Sequence, residues 1–357
     1  MTLTHITNKT TWNHTLAQFS NAHILQTWDW GRFKSRWGWQ PTRLLWSNES
    51  HEPLAMAQIL QRPIPKTPFS IAYISKGPVW DYKNIEYITS VLHDLENYAR
   101  QTRALFIKID PDVPIAYEPS ESQHDQYGHV VKACLLNRGW QFSKQQIQFK
   151  NTVILDIRPD ETSLLKQMKS KWRYNIRLAI RKGVTIRQGN ISDLETFYNL
   201  YAITSQRDGF LIRPKEYYLD AWHTFLNEKH ATLLFAMVDN VPIAGLILFY
   251  LGQTAWYMYG ASNNQHRSKM PNHLLQWEAI KLAKSVGCTV YDMWGAPDVL
   301  DESDSMWGVY KFKKGFAGMT QQGLGAYDYP TFPVFYLTYK TILPKMLSLL
   351  RNRNLAS

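Results

Sequence analysis

Pro53-Leu54-Ala55-Met56-Ala57-Gln58-Ile59-Leu60 in the first half of the chain is echoed by Pro242-Ile243-Ala244-Gly245-Leu246-Ile247-Leu248-Phe249 in the second. Each stretch is apolar and follows a short polar turn, so each reads as the return strand of a hairpin. Ser47-Asn48-Glu49-Ser50 is the first turn, inside a hairpin from Arg43 to Gln61. Asp239-Asn240 is the second, after a strand from Thr232 to Val238. Working outward, the order of elements repeats. A strand at Ile71–Ile74, ending in Lys76-Gly77-Pro78, is matched by one at Ala255–Tyr259. A helix from Asn84 to Arg100, with Ile88, Val91, Leu92 and Leu95 on one face, is matched by a helix from Leu274 to Val286 that Gly287 stops. The buried strand Ala104–Ile109 runs into Asp110-Pro111-Asp112, and Cys288–Met293 runs into Trp294-Gly295-Ala296-Pro297-Asp298. A further helix near Val130–Asn137 ends at Gly139. Hairpin, strand, helix, strand thus occurs twice, which predicts two related α+β domains. The period is far too long for a solenoid.

The chain has 357 residues, a length that suits two compact domains. It is 45% hydrophobic and 19% charged, the composition of a folded protein. Aromatic residues reach 14%, with 14 Trp and 20 Tyr, enough to fill cores and also line a cleft. The net charge of +11 favours polyanionic partners such as nucleic acid, phosphates or an anionic membrane face. Cys134 and Cys288 are the only cysteines and show no metal-ligand spacing, so neither a disulfide framework nor a metal site is expected. Met1 to His14 is polar and reads as no signal peptide. The longest apolar run, Val241 to Leu251, is shorter than the roughly 18 residues a span needs. The expected setting is cytoplasmic and reducing. The tail from Pro333 to Asn354 mixes apolar and basic residues at helical spacing, which suits packing on its own domain or peripheral contact with the inner membrane face.

No Walker loop, G-x-G-x-x-G, G-x-S-x-G or H-E-x-x-H is present. One charge run stands out. Lys166, Lys169, Lys171, Arg173, Arg177, Arg181 and Lys182 precede Gly183 with no acidic residue among them. Trp172, Ile176, Ala179 and Ile180 form the apolar stripe of that helical segment, which leaves most of the basic residues on the open face. Unpaired positive charge of this kind fits an RNA or phosphate contact, or a solvated face.

Four ordered stretches carry a resemblance. They are Trp30-Gly31-Arg32-Phe33-Lys34 with Trp37-Gly38-Trp39, then Lys171-Trp172-Arg173-Tyr174-Asn175-Ile176-Arg177-Leu178-Ala179. Next come Trp256-Tyr257-Met258-Tyr259-Gly260-Ala261-Ser262, followed by Tyr291, Asp292 and Trp294-Gly295. Last is Tyr310-Lys311-Phe312-Lys313-Lys314-Gly315-Phe316 with Gly323-Leu324-Gly325-Ala326-Tyr327-Asp328. Together they resemble the Fem family (FemABX), the aminoacyltransferases of peptidoglycan interpeptide bridges, over nearly the whole chain. The resemblance implies two GNAT-like (acyl-CoA N-acyltransferase-like) domains, each a mixed sheet flanked by helices. Residues 1–152 with 325–357 would form the precursor-binding domain. Residues 153–324 would form the aminoacyl-tRNA side, which carries the Phe312-Lys313 motif. Only Tyr218 to Ala231 separates helix from strand where some members insert a coiled-coil arm, so this chain resembles the armless members.

The implied reaction moves an amino acid from aminoacyl-tRNA, a co-substrate, to the stem-peptide amine of UDP-MurNAc-pentapeptide or lipid II. It needs no other cofactor, metal or covalent intermediate. A lysine-like amine has a pKa of about 10.4, so holding it neutral costs roughly 4–5 kcal/mol. A donor facing the tetrahedral oxyanion returns about 3–4 kcal/mol. By resemblance, Lys313 stabilises the negative charge that develops at the transferred carbonyl. Asp110 orients or deprotonates the acceptor amine, or, on its residue type alone, caps the turn before Pro111. Lys34 and Arg213 match the residues that hold the precursor diphosphate. Tyr217 shares the helix face of Arg213. Tyr257 and Tyr259 alternate with Met258, so strand geometry points both to one side, the family's precursor channel. The basic helix would meet the tRNA acceptor arm. Two features depart from the family: Lys76-Gly77-Pro78 stands where Arg-Gly-Pro is usual, and the segment from Asp298 to Trp307, Asp298 included, carries four acidic residues. Two alternatives stay open on sequence alone. One is an acyl-CoA-dependent GNAT-type N-acyltransferase, for which Arg267-Ser268-Lys269-Met270 is the nearest pyrophosphate turn. The other is a non-enzymatic RNA-binding protein.

Overall fold

The computed structural model describes residues 1–81, 84–118 and 126–340. Two eight-stranded mixed sheets carry the structure. The first runs, in spatial order, Thr2–His5, Gln40–Ser47, Pro53–Pro63, Ser70–Ile74, Ala104–Ile109, Tyr327–Pro330 and Gln141–Phe142, with the short Val79–Trp80 on Pro53–Pro63. The second runs Thr185–Gln188, Ala231–Val238, Val241–Leu251, Thr254–Ser262, Val290–Asp292, Thr152–Asp156, Met319–Gly323 and Pro114–Glu118.

The doubled pattern read from the sequence is present in register. In each sheet an antiparallel hairpin and a third strand are followed by a helix that crosses over to a parallel strand. Ser70–Ile74 pairs in parallel with Ala104–Ile109 across the helix Ile85–Gln101. Thr254–Ser262 pairs in parallel with Val290–Asp292 across the helix Pro271–Ser285. The second hairpin closes through Asp239 and Asn240 at φ 51° and 63°. This left-handed pair is the geometry of a two-residue turn that Asp and Asn tolerate. Val238 therefore faces Val241. The first crossover helix starts on Asn84, whose side chain accepts the Tyr87 amide, and it buries Ile88, Val91, Leu92 and Leu95 as its periodicity predicts. Glu96 is buried on the same helix, where Arg138 at 2.8–2.9 Å and the Trp140 indole at 3.0 Å satisfy it.

The chain also crosses between the sheets. Pro114–Glu118, early in the chain, is the edge strand of the second sheet and pairs with Met319–Gly323. Tyr327–Pro330 then returns to the first sheet and pairs with Ala104–Ile109 and Gln141–Phe142. Residues 333–340 continue as helix, and Tyr336 packs on Phe106 and donates to Asp328 at 2.8 Å. The remainder of the amphipathic tail expected to Asn354 lies outside the described residues.

The basic segment is two helices, Glu161–Gln167 and Ser170–Arg181, because Met168 and Lys169 take extended ψ values of 152° and 141°. Ile176 and Ala179 are buried and Trp172 half-buried, but Ile180 is 58% exposed and does not belong to the apolar stripe. Helix Lys215–Asn227 leads directly to strand Ala231–Val238, with no arm between them. Among the described residues no helix is long and apolar enough to cross a membrane.

Candidate active site

The two halves share a core. Trp12, Leu16, Ile24 and Phe33 from the N-terminal helices pack with Phe197, Trp222, Phe225, Phe249 and Trp256 of the second half. Burying each large apolar side chain contributes about 1.5–3 kcal/mol. Polar contacts frame this core: Arg36 forks onto Asp220, and the Trp37 indole donates to the same carboxylate at 2.8 Å. Groups at the junction are therefore held in fixed relation by packing from both sides.

Lys313 lies in the last turn of the helix Trp307–Lys314 and is 4% exposed. Its ammonium donates to the Trp294 and Gly295 carbonyls, each at 2.6 Å. A lysine ammonium has three N–H donors, so one remains for a further acceptor. Burial lowers its pKa to about 7, and the nearby Asp292 charge opposes that fall. Asp292 is itself buried and is held by the Thr152 hydroxyl and by the Trp294 amide at 2.7 Å. Burial pushes Asp292 up to about 6.

Across this junction the first half contributes Asp110, at the end of strand Ala104–Ile109 and 1% exposed. One carboxylate oxygen accepts the Tyr73 hydroxyl at 3.1 Å, while the other has no hydrogen-bond partner among the described residues. Burial raises its pKa, partly offset by Lys76 and by the Tyr73 hydroxyl. Lys76 donates to the Phe149 carbonyl at 3.0 Å, pairs with Asp112 at 3.7 Å and lies 5.5 Å from the Trp294 ring centre. Burial pulls Lys76 down, but Asp112, Asp110 and Asp292 outweigh it, and it sits above the usual lysine value. One charge network thus runs from Asp110 and Lys76 of the first half to Asp292 and Lys313 of the second. His23 lines its edge: its ring meets Trp256 at 4.8 Å and Trp294 at 5.6 Å, and burial keeps it neutral.

A second cluster lies where helix Trp28–Ser35 meets helix Lys215–Asn227. Lys34 is 8% exposed, and its ammonium donates to the Tyr217 hydroxyl at 3.1 Å. The rings of Trp30, Trp39 and Tyr217 each lie 5.4 Å from it. Arg213 precedes this helix and does not share a helix face with Tyr217, because Pro214 caps the helix start; its guanidinium lies over the Tyr217 ring at 4.8 Å. Among the described residues no carboxylate pairs with Lys34. Burial, then Arg213 and Arg62, lowers its pKa to about 7. Phosphate oxygens are the natural occupants of such an unneutralised cationic cage.

The structure corrects the reading of the two strand tyrosines. The register with Val241–Leu251 slips between Ile247 and Leu248, so Leu248 faces Tyr257 and Ile247 faces Tyr259. Met258 is the extra residue of a bulge. Tyr257 and Tyr259 therefore point to opposite faces. Tyr257 packs with the helix Pro271–Ser285 side, folded over Gly260, where an added Cβ would lie 1.9 Å from its hydroxyl. Tyr259 packs on Tyr201, Tyr218 and Trp222, within the field of Arg213. Phe312 does not face the junction. It is half-buried against His273 at 5.2 Å and Phe316 at 5.2 Å. The sequence alone assigns no role to Lys76 or Asp292, because only their burial in the network with Lys313 and Asp110 makes them part of the site.

Two GNAT-like sheets joined over a buried lysine–carboxylate junction define a tandem acyltransferase-type protein. A tandem GNAT protein from the clavulanic acid biosynthesis pathway shares this fold, with a TM-score of 0.55 at 10% identity over 92% of this chain and 98% of that one. The chain belongs to the FemAB family, whose sequence model matches residues 6–241 and 237–343. It is 26% identical to a lipid II:glycine glycyltransferase of Staphylococcus saprophyticus over 92% of this chain and 94% of that protein. The enzyme of the same name from Staphylococcus aureus is 27% identical, covering 91% and 92%. The crystal structure of FemX superposes with a TM-score of 0.83 at 25% identity over 94% of this chain and 99% of that one.

Proposed function

We propose that this FemAB-family chain is an aminoacyltransferase of peptidoglycan bridge formation, with lipid II as acceptor, glycine as the transferred residue and aminoacyl-tRNA as donor. The acceptor and the amino acid follow the names of the staphylococcal relatives. One observation carries the chemistry: Lys313 is buried, two of its donors are fixed on backbone carbonyls, and one is left over. The stem-peptide amine attacks the ester carbon and a C–N bond forms. The carbonyl electron pair moves onto oxygen, where the third Lys313 N–H receives it. Collapse breaks the C–O bond to the ribose, whose oxygen leaves and takes up a proton. The amine gives its proton to the unpartnered oxygen of Asp110, whose raised pKa favours this. Lys34 and Arg213 hold the diphosphate, with Tyr217 and Tyr259 behind them.

In this reading residues 1–152 and 325–357 carry most of the precursor site, and residues 153–324 meet the donor and add Arg213, Tyr217 and Tyr259 to the diphosphate pocket. The donor reading rests on the exposed Lys166, Lys169, Lys171, Arg177, Arg181 and Lys182, none of which is ion-paired among the described residues. Each phosphate contact they make steepens the salt dependence of tRNA binding by roughly 0.7–0.9 in log–log slope. The basic tail adds peripheral contact with the inner membrane face. The test is to incubate the protein with lipid II and glycyl-tRNA carrying labelled glycine. Label on lipid II, lost in Lys313→Met and after RNase treatment of the donor, is the expected result. Turnover supported by an acyl-CoA instead would overturn the donor assignment.

A further inference from the structure

Between the basic helix and the Lys313 helix lies a contact that the reaction above does not use. Trp172, on the helix Ser170–Arg181, donates its indole N–H to the Phe312 carbonyl at 3.0 Å. Its ring lies flat against Gly315, where an added Cβ would stand 2.0 Å from the indole. Gly315 has an ordinary right-handed helical backbone, φ −71° and ψ −19°, so space and not backbone freedom calls for glycine there. The Lys169 amide donates to the Gly315 carbonyl at 3.0 Å, a second tie between the same two turns. His273 closes the group, with its ring 5.4 Å from Trp172 and 3.0 Å from the Asn175 amide nitrogen. Phe312 directly precedes Lys313 and Gly315 follows two residues later, so both ties meet the turn that carries Lys313.

From this geometry we infer that Trp172 is a positioning residue: it latches the basic helix to the helical turn carrying Lys313 and fixes the direction of the lysine's free N–H. The inference rests on the reading of Lys313 as the group facing the oxyanion. A free helix C-terminal turn leaves its carbonyls to water and frays. Here the Phe312 carbonyl is occupied by the indole and the Gly315 carbonyl by the Lys169 amide, so the turn is held from outside. Loosening it admits water to Lys313, and the ammonium regains solvation.

Trp172→Phe keeps an aromatic ring, smaller than the indole, and removes the N–H, and Gly315→Ala pushes the indole away. Both are assayed with glycyl-tRNA and lipid II. Each is expected to lower kcat about tenfold, the equivalent of one lost hydrogen bond to a catalytic turn. KM for both substrates stays within about twofold. The alkaline limb of kcat moves upward by about one pH unit, because a solvated Lys313 recovers part of its ordinary pKa. Unchanged kcat and an unmoved limb in both variants, with Lys313→Met inactive, overturn the latch and leave Lys313 standing. Full activity of Lys313→Met overturns the underlying reading. A fall in kcat that tracks a loss of folded protein by circular dichroism, with no shift of the limb, makes Trp172 merely structural and also overturns the latch.

Discussion

Two of the buried lysines, Lys34 and Lys313, are driven by burial toward neutrality near pH 7. Their surroundings then diverge. Lys34 sits among rings and beside two arginines, with one hydroxyl as its hydrogen-bond partner. Rings and a hydroxyl support its charge, but among the described residues no carboxylate neutralises it, so full charge comes with a ligand that brings negative oxygens. Lys313 is held by two carbonyls, and Asp292 opposes the loss of its proton, so the support for its charge comes from within. The same desolvation therefore makes one lysine a receptor for a bound anion and the other a fixed element aimed at a transient one.

The comparison breaks most visibly at Lys313. Lys313→Met is expected to lower kcat by about 10²–10³-fold with KM little changed, because the lost interaction exists only in the transition state. Steady-state assays with glycyl-tRNA and lipid II check this, and a rise in KM alone would place Lys313 with Lys34. Lys34→Met should do the reverse, raising the precursor KM about 10–100-fold at constant kcat, the value of one charge-assisted hydrogen bond.

The pH dependence sharpens the same contrast. Free Lys34 loses its proton as pH rises through about 7, while bound diphosphate raises its pKa. Precursor binding should therefore weaken with rising pH from about 7 until the bound-state pKa is passed. Calorimetry in buffers of different ionisation enthalpy reads the accompanying proton uptake. Asp292 raises the Lys313 pKa. In Asp292→Asn that support is gone, the lysine deprotonates at lower pH, and kcat at about pH 7.5 should fall about tenfold and largely recover near pH 6.5. The smallest expected effect lies at the bulge. Tyr259→Phe should raise the precursor KM about threefold and Tyr257→Phe should leave it unmoved, since they occupy opposite faces. Equal effects would contradict that placement.

Much of the architecture is legible in the sequence because local pattern and tertiary environment agree there. The strand Ala104–Ile109 ends where its apolar run ends, and the first crossover helix buries the four residues its periodicity selects. The expected strands and helices of the echoed hairpins are all present. What escapes the sequence is set by distant partners. A one-residue bulge at Met258 reverses the side of every residue after it, and nothing in Tyr257-Met258-Tyr259 signals it. Pro114–Glu118 has a strand's length but no local sign that its partner is Met319–Gly323. Asp292 and Lys76 read as a strand-end acid and a turn lysine until the junction brings them beside Lys313 and Asp110. The order of motifs around Lys313, Lys34 and Asp110 marks them in the sequence; their burial, which gives them their shifted proton affinities, is visible only in three dimensions.

The exchanged strands bear on how such a gene can be divided. Cut between its halves, it would yield one product carrying Pro114–Glu118 with no sheet to join, and missing the strand that belongs between Ala104–Ile109 and Gln141–Phe142. The other product would carry that missing strand, Tyr327–Pro330, and lack its own edge. Neither piece is a self-sufficient inheritance. Each holds the other's missing part, like the two halves of a torn ticket, and co-expressed halves should find one another and restore the whole.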